Sequence, residues 1–156
     1  MARATLTGRG RKRWLGGHPW IYADDVQTVD AEPGALVRVF APDEHVLGWA
    51  LYSSASRIAL RSVSRTSAEP DGEFWAARAR AAVAHRAALG LLEARDACRL
   101  LAGDADGFPG LVVDRYADAL VLQSGCQGSD SRRDEWLAAL EGALPWRAGT
   151  VLDRSD

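Results

Sequence analysis

The sequence has 156 residues, 47% hydrophobic and 26% charged, with a net charge of −2; this suffices for one ordinary domain or two very small ones and excludes a wholly disordered chain. No apolar run approaches the roughly twenty residues that cross a bilayer as a helix, and the basic start leads into Gly16-Gly17-His18-Pro19 rather than the apolar centre of a secretory signal. Cys98 and Cys126 form no disulfide framework and lack C-x-x-C spacing, so a reducing cytoplasm is the expected setting.

Charge is unevenly distributed. Residues 1–22 carry Arg3, Arg9, Arg11, Lys12 and Arg13 with no acidic residue, whereas residues 71–156 carry ten basic against fourteen acidic residues, a net of −4. A polyanionic partner is therefore expected at the front of the chain. All cationic residues except Lys12 are arginine, which can reflect gene composition as much as guanidinium chemistry, so the arginine count carries little weight.

In chain order, Arg and Lys at 9–13 followed by Trp14 and Leu15 predict a short helical turn, stopped by Gly16 and Gly17, with an extended exit set by Pro19. Strands are expected over 26–29, 35–40, 46–52 and 57–63, the last three separated by turn-forming residues. Alternation in the last strand puts Ile58 and Leu60 on a core face and Arg57 and Arg61, ~13 Å apart, on an exposed cationic one. Residues 64–72 read as a linker and domain boundary. A helix follows over 74–89, with a weak stripe of Trp75, Ala79, Ala82 and Leu89 flanked by Arg78 and Arg86 and capped by Gly90. Strands over 98–102, 111–115 and 119–123 make a β-meander. Ser131 with Asp134 starts a helix carrying Trp136, Leu137, Leu140 and Leu144, and 150–153 begins another strand.

The motifs favour binding over catalysis. Residues 9–22 combine cations with Trp14, His18, Trp20 and Tyr22, a set that suits RNA because phosphates attract guanidinium and ammonium groups while unstacked bases stack on aromatic planes. The alternative is that Trp20, Ile21 and Tyr22 are core residues and the basic run a solvated face; these residues leave both open. Asp104-x-Asp106-Gly107 invites a calcium loop, but Arg115 stands where a bidentate Glu is needed, so a structural acidic turn is expected. Cys98 and Cys126 lack an evident activating base and are expected to be buried small hydrophobes. No serine lies in a G-x-S-x-G elbow, and His18, His45 and His85 lack metal-ligand spacing.

Four segments occur in an order that resembles a known family: GHPWIY at 17–22, GWALYSSASRI at 48–58, GDADGFPGLVVDRY at 103–116 and DRSD at 153–156. Together they resemble the bacterial S-adenosylmethionine-dependent large-subunit ribosomal RNA cytosine-C5 methyltransferases. The resemblance implies a mixed α+β chain with an N-terminal PUA-like β-barrel over 1–66 and an incomplete α/β middle domain over 67–156, truncated before the cofactor-binding domain. It implies ribosomal RNA as partner and S-adenosylmethionine as the cofactor of the full-length family, with no cofactor-binding or catalytic residue and no metal in this chain. The alternative is a stand-alone RNA-binding or interaction module that self-associates or pairs with a separate methyltransferase-domain chain. The expected RNA-facing residues are Arg9, Arg11, Lys12, Arg13, His18, Trp20, Tyr52, Ser56, Arg57 and Arg61.

Overall fold

The structure is a computed structural model that describes residues 1–93 and 96–155. It divides into two units, one comprising Met1–Pro70 with Cys126–Ser131 and the other Asp71–Gly125 with Arg132–Asp156. Each is mixed α and β in content.

In the first unit the apolar alternation of the strands builds a six-stranded, curled sheet. Its strands are β1 (Arg3–Leu6), β2 (Trp20–Tyr22), β3 (Val26–Asp30), β4 (Leu36–Phe40), β5 (Val46–Tyr52) and β6 (Ile58–Ser64), in the order β2-β6-β5-β4-β1-β3. β1 was not foreseen. It is only four residues long and follows no turn signal, yet it pairs antiparallel with β3 and parallel with β4 and buries Ala4 and Leu6 completely. These two residues join Trp14, Ile21, Val37, Val39, Ala50 and Leu60 in the core.

Helix α1 (Gly8–Leu15) forms where the basic run predicts it. Thr7 caps it by accepting from the Gly10 amide at 3.1 Å, and the Gly16 amide closes its end on the Lys12 carbonyl at 3.0 Å. Of its two large apolar side chains, Leu15 is exposed, whereas Trp14 is buried and donates from Nε1 to the Leu47 carbonyl at 3.0 Å. Gly10 lets the helix approach the 3-10 turn Ala23–Asp25: a Cβ there would stand 2.2 Å from the Asp25 carbonyl oxygen.

In the second unit, helix α2 (Gly72–Ala88) is capped by Asp71, which accepts from the Phe74 amide at 2.9 Å. The four-stranded sheet has the order β10-β9-β8-β7, with β7 (Ala97–Ala102), β8 (Leu111–Tyr116) and β9 (Ala119–Ser124) antiparallel as a meander, and β10 (Thr150–Asp153) parallel to β9. Trp75, Phe108 and Trp136 meet in its core, with ring centroids 4.8 Å apart for the two indoles and 5.8 and 5.4 Å from each to Phe108.

Three expectations for residues beyond the linker need correction. The α2 stripe does not include Leu89, which is 58% exposed beyond the helix end; Val83 and Arg86 take the buried positions instead. Helix α3 (Gln127–Ala143) begins four residues before the expected start at Ser131, and Ser129 Oγ, turned back to the Cys126 carbonyl at 2.9 Å, supports that earlier first turn. Cys98 and Cys126 are free and only half-buried rather than core residues, and partial burial pushes the Cys98 thiol above its ordinary pKa.

The 103–110 loop is organised by arginine. Asp106 accepts from Arg86 Nη1 and Nη2 at 2.6 and 2.7 Å and from the Ala102 amide at 2.7 Å, so both carboxylate oxygens are engaged. Arg78 Nη1 donates to the Gly107 carbonyl at 2.5 Å, and Gly107 itself has φ +78°, a conformation side chains rarely adopt. Among the described residues no helix is long and apolar enough to cross a membrane, and no group of three acidic, His or Cys side chains is placed to hold a metal ion.

Candidate nucleic-acid interface

The ten expected residues all lie in the first unit, but the fold separates them into three sets. The first is the exposed side of α1. Arg9 and Arg13, one helical turn apart, both reach Asp25, a carboxylate only 1% exposed. Arg13 Nε donates to it at 2.9 Å, Arg9 Nε donates to its other oxygen, and Arg9 Nη2 also donates to the Asp24 carbonyl at 3.2 Å. The bond to Asp25 holds the Arg9 guanidinium above its usual pKa. These two arginines therefore anchor α1 as well as displaying charge. Arg11 is exposed, with Nη1 3.8 Å from Asp43, and Lys12 is exposed with no ion pair among the described residues.

The second set is aromatic. Pro19 directs the chain into β2, where Trp20 lies opposite Arg61 of β6. The Arg61 guanidinium sits 5.6 Å from the Trp20 ring centre and is half-buried, not exposed as expected. His18 Nδ1 accepts from the Trp20 amide at 3.1 Å, and its ring lies 6.2 Å from Trp20 and 6.4 Å from Tyr22. Arg13 covers Tyr22 at 5.0 Å. The Trp20 indole Nε1 is buried without a hydrogen-bond partner among the described residues.

The third set surrounds the end of β5. Tyr52 and Ser56 line a cleft of about 240 Å³, and Ser56 Oγ accepts from the Ile58 amide at 3.1 Å. Arg57 is exposed, and its carbonyl accepts from the Ala23 amide at 3.0 Å.

Sequence reasoning missed two contributors. Arg65 covers Trp14 at 5.5 Å and donates to the His18 carbonyl at 3.2 Å, joining the first two sets. The alternation that singles out Arg57 and Arg61 reaches Arg65 as well, but it was read as linker. Asp25 has no such signal, since nothing local marks it as buried. Asp25→Asn is expected to lower thermal stability while releasing Arg9 and Arg13 from a carboxylate. RNA binding of that variant should show a salt slope steeper by roughly one to two phosphate contacts, read from affinity against salt concentration.

Comparison with known proteins identifies the first unit. Residues 4–65 match the family described as PUA-like domain. The chain has a PUA-like N-terminal domain. The chain containing it is 34% identical over 155 residues to a ribosomal RNA large subunit methyltransferase I from Erwinia tasmaniensis, covering 97% of this chain and 39% of that protein. It is 45% identical over 114 residues to a ribosomal RNA large subunit methyltransferase from Deinococcus radiodurans, covering 69% of this chain and 28% of the relative. The chain thus spans two-fifths or less of the curated relatives it matches here. The fold, PUA-like unit included, is shared with a candidate SAM-dependent methyltransferase from Streptococcus mutans at TM-score 0.84 and 19% identity, covering 99% of this chain and 41% of that one. A further candidate methyltransferase, complexed with SAH, matches at TM-score 0.85 and 19% identity over 99% of this chain and 40% of that one. These relationships support a ribosomal RNA methyltransferase family.

A glycine-bearing strand-to-helix turn links β9 to α3, but its own side chains fill it. Ser129 Oγ accepts from the Cys126 amide at 3.3 Å, Gln127 Oε1 accepts from Ser53 Oγ and the Ser54 amide at 3.1 and 2.8 Å, and a Cβ on Gly128 would stand 2.7 Å from Leu51 Cβ.

Proposed function

We propose that this chain is the RNA-docking and spacer portion of a cytoplasmic, S-adenosylmethionine-dependent ribosomal RNA cytosine-C5 methyltransferase. Residues 1–66 serve as the RNA-binding domain and 67–156 as the middle domain. No residue among 1–156 is assigned a catalytic or cofactor-binding role. The observation that carries the reading is the pairing, within the PUA-like unit, of a cationic helix with a band of aromatic side chains: Arg11 and Lys12 on α1, and His18, Trp20 and Tyr22 from the segment that follows it.

The two kinds of group divide the work of holding RNA. Guanidinium and ammonium groups meet phosphates and release counterions, which gives affinity without sequence preference. Aromatic planes and their covering arginines suit unpaired bases, whose faces are free in loops and bulges. Because Arg9 and Arg13 are shared with Asp25, Arg11 and Lys12 are the α1 cations that lose least on meeting a phosphate. The double variant Arg11→Glu, Lys12→Glu is expected to weaken binding to a ribosomal RNA fragment at least ten-fold, in line with two lost phosphate contacts and added repulsion. Unchanged affinity in a folded double variant would remove α1 from the interface.

A second reading draws on β10. All four of its residues are exposed, Val151 and Leu152 included, and it lies at the edge of its sheet. An exposed edge with apolar side chains favours pairing with another chain, either a second copy or a methyltransferase-domain partner. Sedimentation across a concentration range tests the first of these, and a mass that stays monomeric counts against it.

A further inference from the structure

The cleft beside Tyr52 is built differently from the cationic surface of α1. It is bounded by β3 on one side and by the end of β5 and the following turn on the other, and none of its lining residues is charged. Its volume, about 240 Å³, is below the roughly 300–1,000 Å³ usual for drug-sized ligands, so it suits one ring system rather than an extended molecule.

The polar groups on its walls are neutral and partly uncommitted. Gln27 and Thr28 are exposed on β3, and their side chains make no hydrogen bond among the described residues. Ser56 Oγ accepts from the Ile58 amide and keeps its own proton to donate. Ser53 and the Ser54 amide are already committed to Gln127. Tyr52 contributes a half-buried ring. Without a cation a phosphate has nothing to neutralise it in the cleft, and without a carboxylate a metal ion has no anionic ligand there. An aromatic ring, a carboxamide and hydroxyls together suit the face and edge of a nucleobase.

A cation follows the cleft's lining residues in the chain. Arg57 follows Ser56, is exposed, and is fixed by its carbonyl to the amide of Ala23, itself a lining residue. A neutral cleft followed directly in the chain by an exposed arginine matches a nucleotide whose base enters and whose phosphate stays outside.

We propose that this cleft receives a single unstacked nucleobase of RNA, with Tyr52 against the ring, Gln27 and Ser56 at its edge and Arg57 toward a flanking phosphate. The proposal rests on the reading that the chain binds RNA. The test compares, on the full chain, the affinity of a ten-nucleotide oligouridine with that of a ribose-phosphate oligomer of equal length lacking bases. The wild type is expected to prefer the base-bearing oligomer by roughly five-fold or more. Tyr52→Leu and Gln27→Ala should each erase much of that preference while leaving affinity for the abasic oligomer unchanged. Gln27 is exposed and unbonded, so its variant reports even if Tyr52→Leu does not fold. A preference retained in full by folded Gln27→Ala and Tyr52→Leu would overturn the cleft's role and leave RNA docking standing. Failure of both oligomers and of a ribosomal RNA fragment to bind would overturn the docking reading itself, and the cleft proposal with it.

Discussion

Arg86→Ala is expected to destabilise the second unit by about 3–5 kcal/mol, the usual range when one partner of a buried ion pair is removed and the other is left behind. Arg86 is 7% exposed, bonds Asp106 through two nitrogens, and also donates from Nε to the Arg99 carbonyl at 2.9 Å. It therefore ties α2 to β7 and to the 103–110 loop at once. Urea titration would show the loss, and amide exchange in β7 and β8 should accelerate. A cost near that of an exposed pair, under about 1 kcal/mol, would contradict the buried geometry.

The same pair gives a pH signature. Burial alone raises the Asp106 pKa, but the hydrogen bonds from Arg86 and the Ala102 amide and the nearby positive charge outweigh it, so the folded carboxyl titrates below its ordinary value. A depressed folded pKa contributes stability that is fully present above the unfolded value, about 3.9, and lost as pH falls through the folded value. Wild-type stability should accordingly fall below about pH 4 with a component that Asp106→Asn lacks. Parallel acid limbs for the two proteins would show that Asp106 is not held this way.

Trp75→Ala is the second large effect, again about 3–5 kcal/mol, because it empties the centre of the Trp75, Phe108 and Trp136 cluster. Trp75→Phe should cost much less, about 1 kcal/mol. It loses volume but also removes an indole N–H that is buried without a hydrogen-bond partner among the described residues, a group that itself costs about 1–3 kcal/mol. Equal destabilisation by the two variants, measured by urea unfolding, would mean that the indole nitrogen is satisfied in solution.

The contrast between these residues and the strands of the first unit shows where sequence is legible. Turn residues around β4, β5 and β6 and the glycines after α1 act on their immediate neighbours, so local rules place those elements to within a residue or two. β1 escapes because its strand character comes from pairing with β3 and β4, not from any apolar run of its own. In sequence Arg86 reads as flanking the α2 stripe because a charged residue is normally outside, and Asp106, twenty residues away, with the Arg99 carbonyl makes its burial tolerable. The candidate site follows the same division. Its residue types and their clustering are visible in the sequence, but the partition of α1 cations between Asp25 and solvent is not. That partition depends on a turn brought against the helix by the close approach at Gly10.

The central claim is that the PUA-like unit docks RNA through the phosphate-facing cations and base-facing aromatics described above. The most direct measurement is the affinity of the chain for a ribosomal RNA fragment across a range of salt concentrations, for wild type and for Arg11→Glu, Lys12→Glu. The account predicts that log affinity falls linearly with log salt in the wild type and that the double variant binds more weakly with a slope shallower by roughly two contacts. Absence of binding at low salt, or binding whose salt dependence is identical in the two proteins, would contradict it.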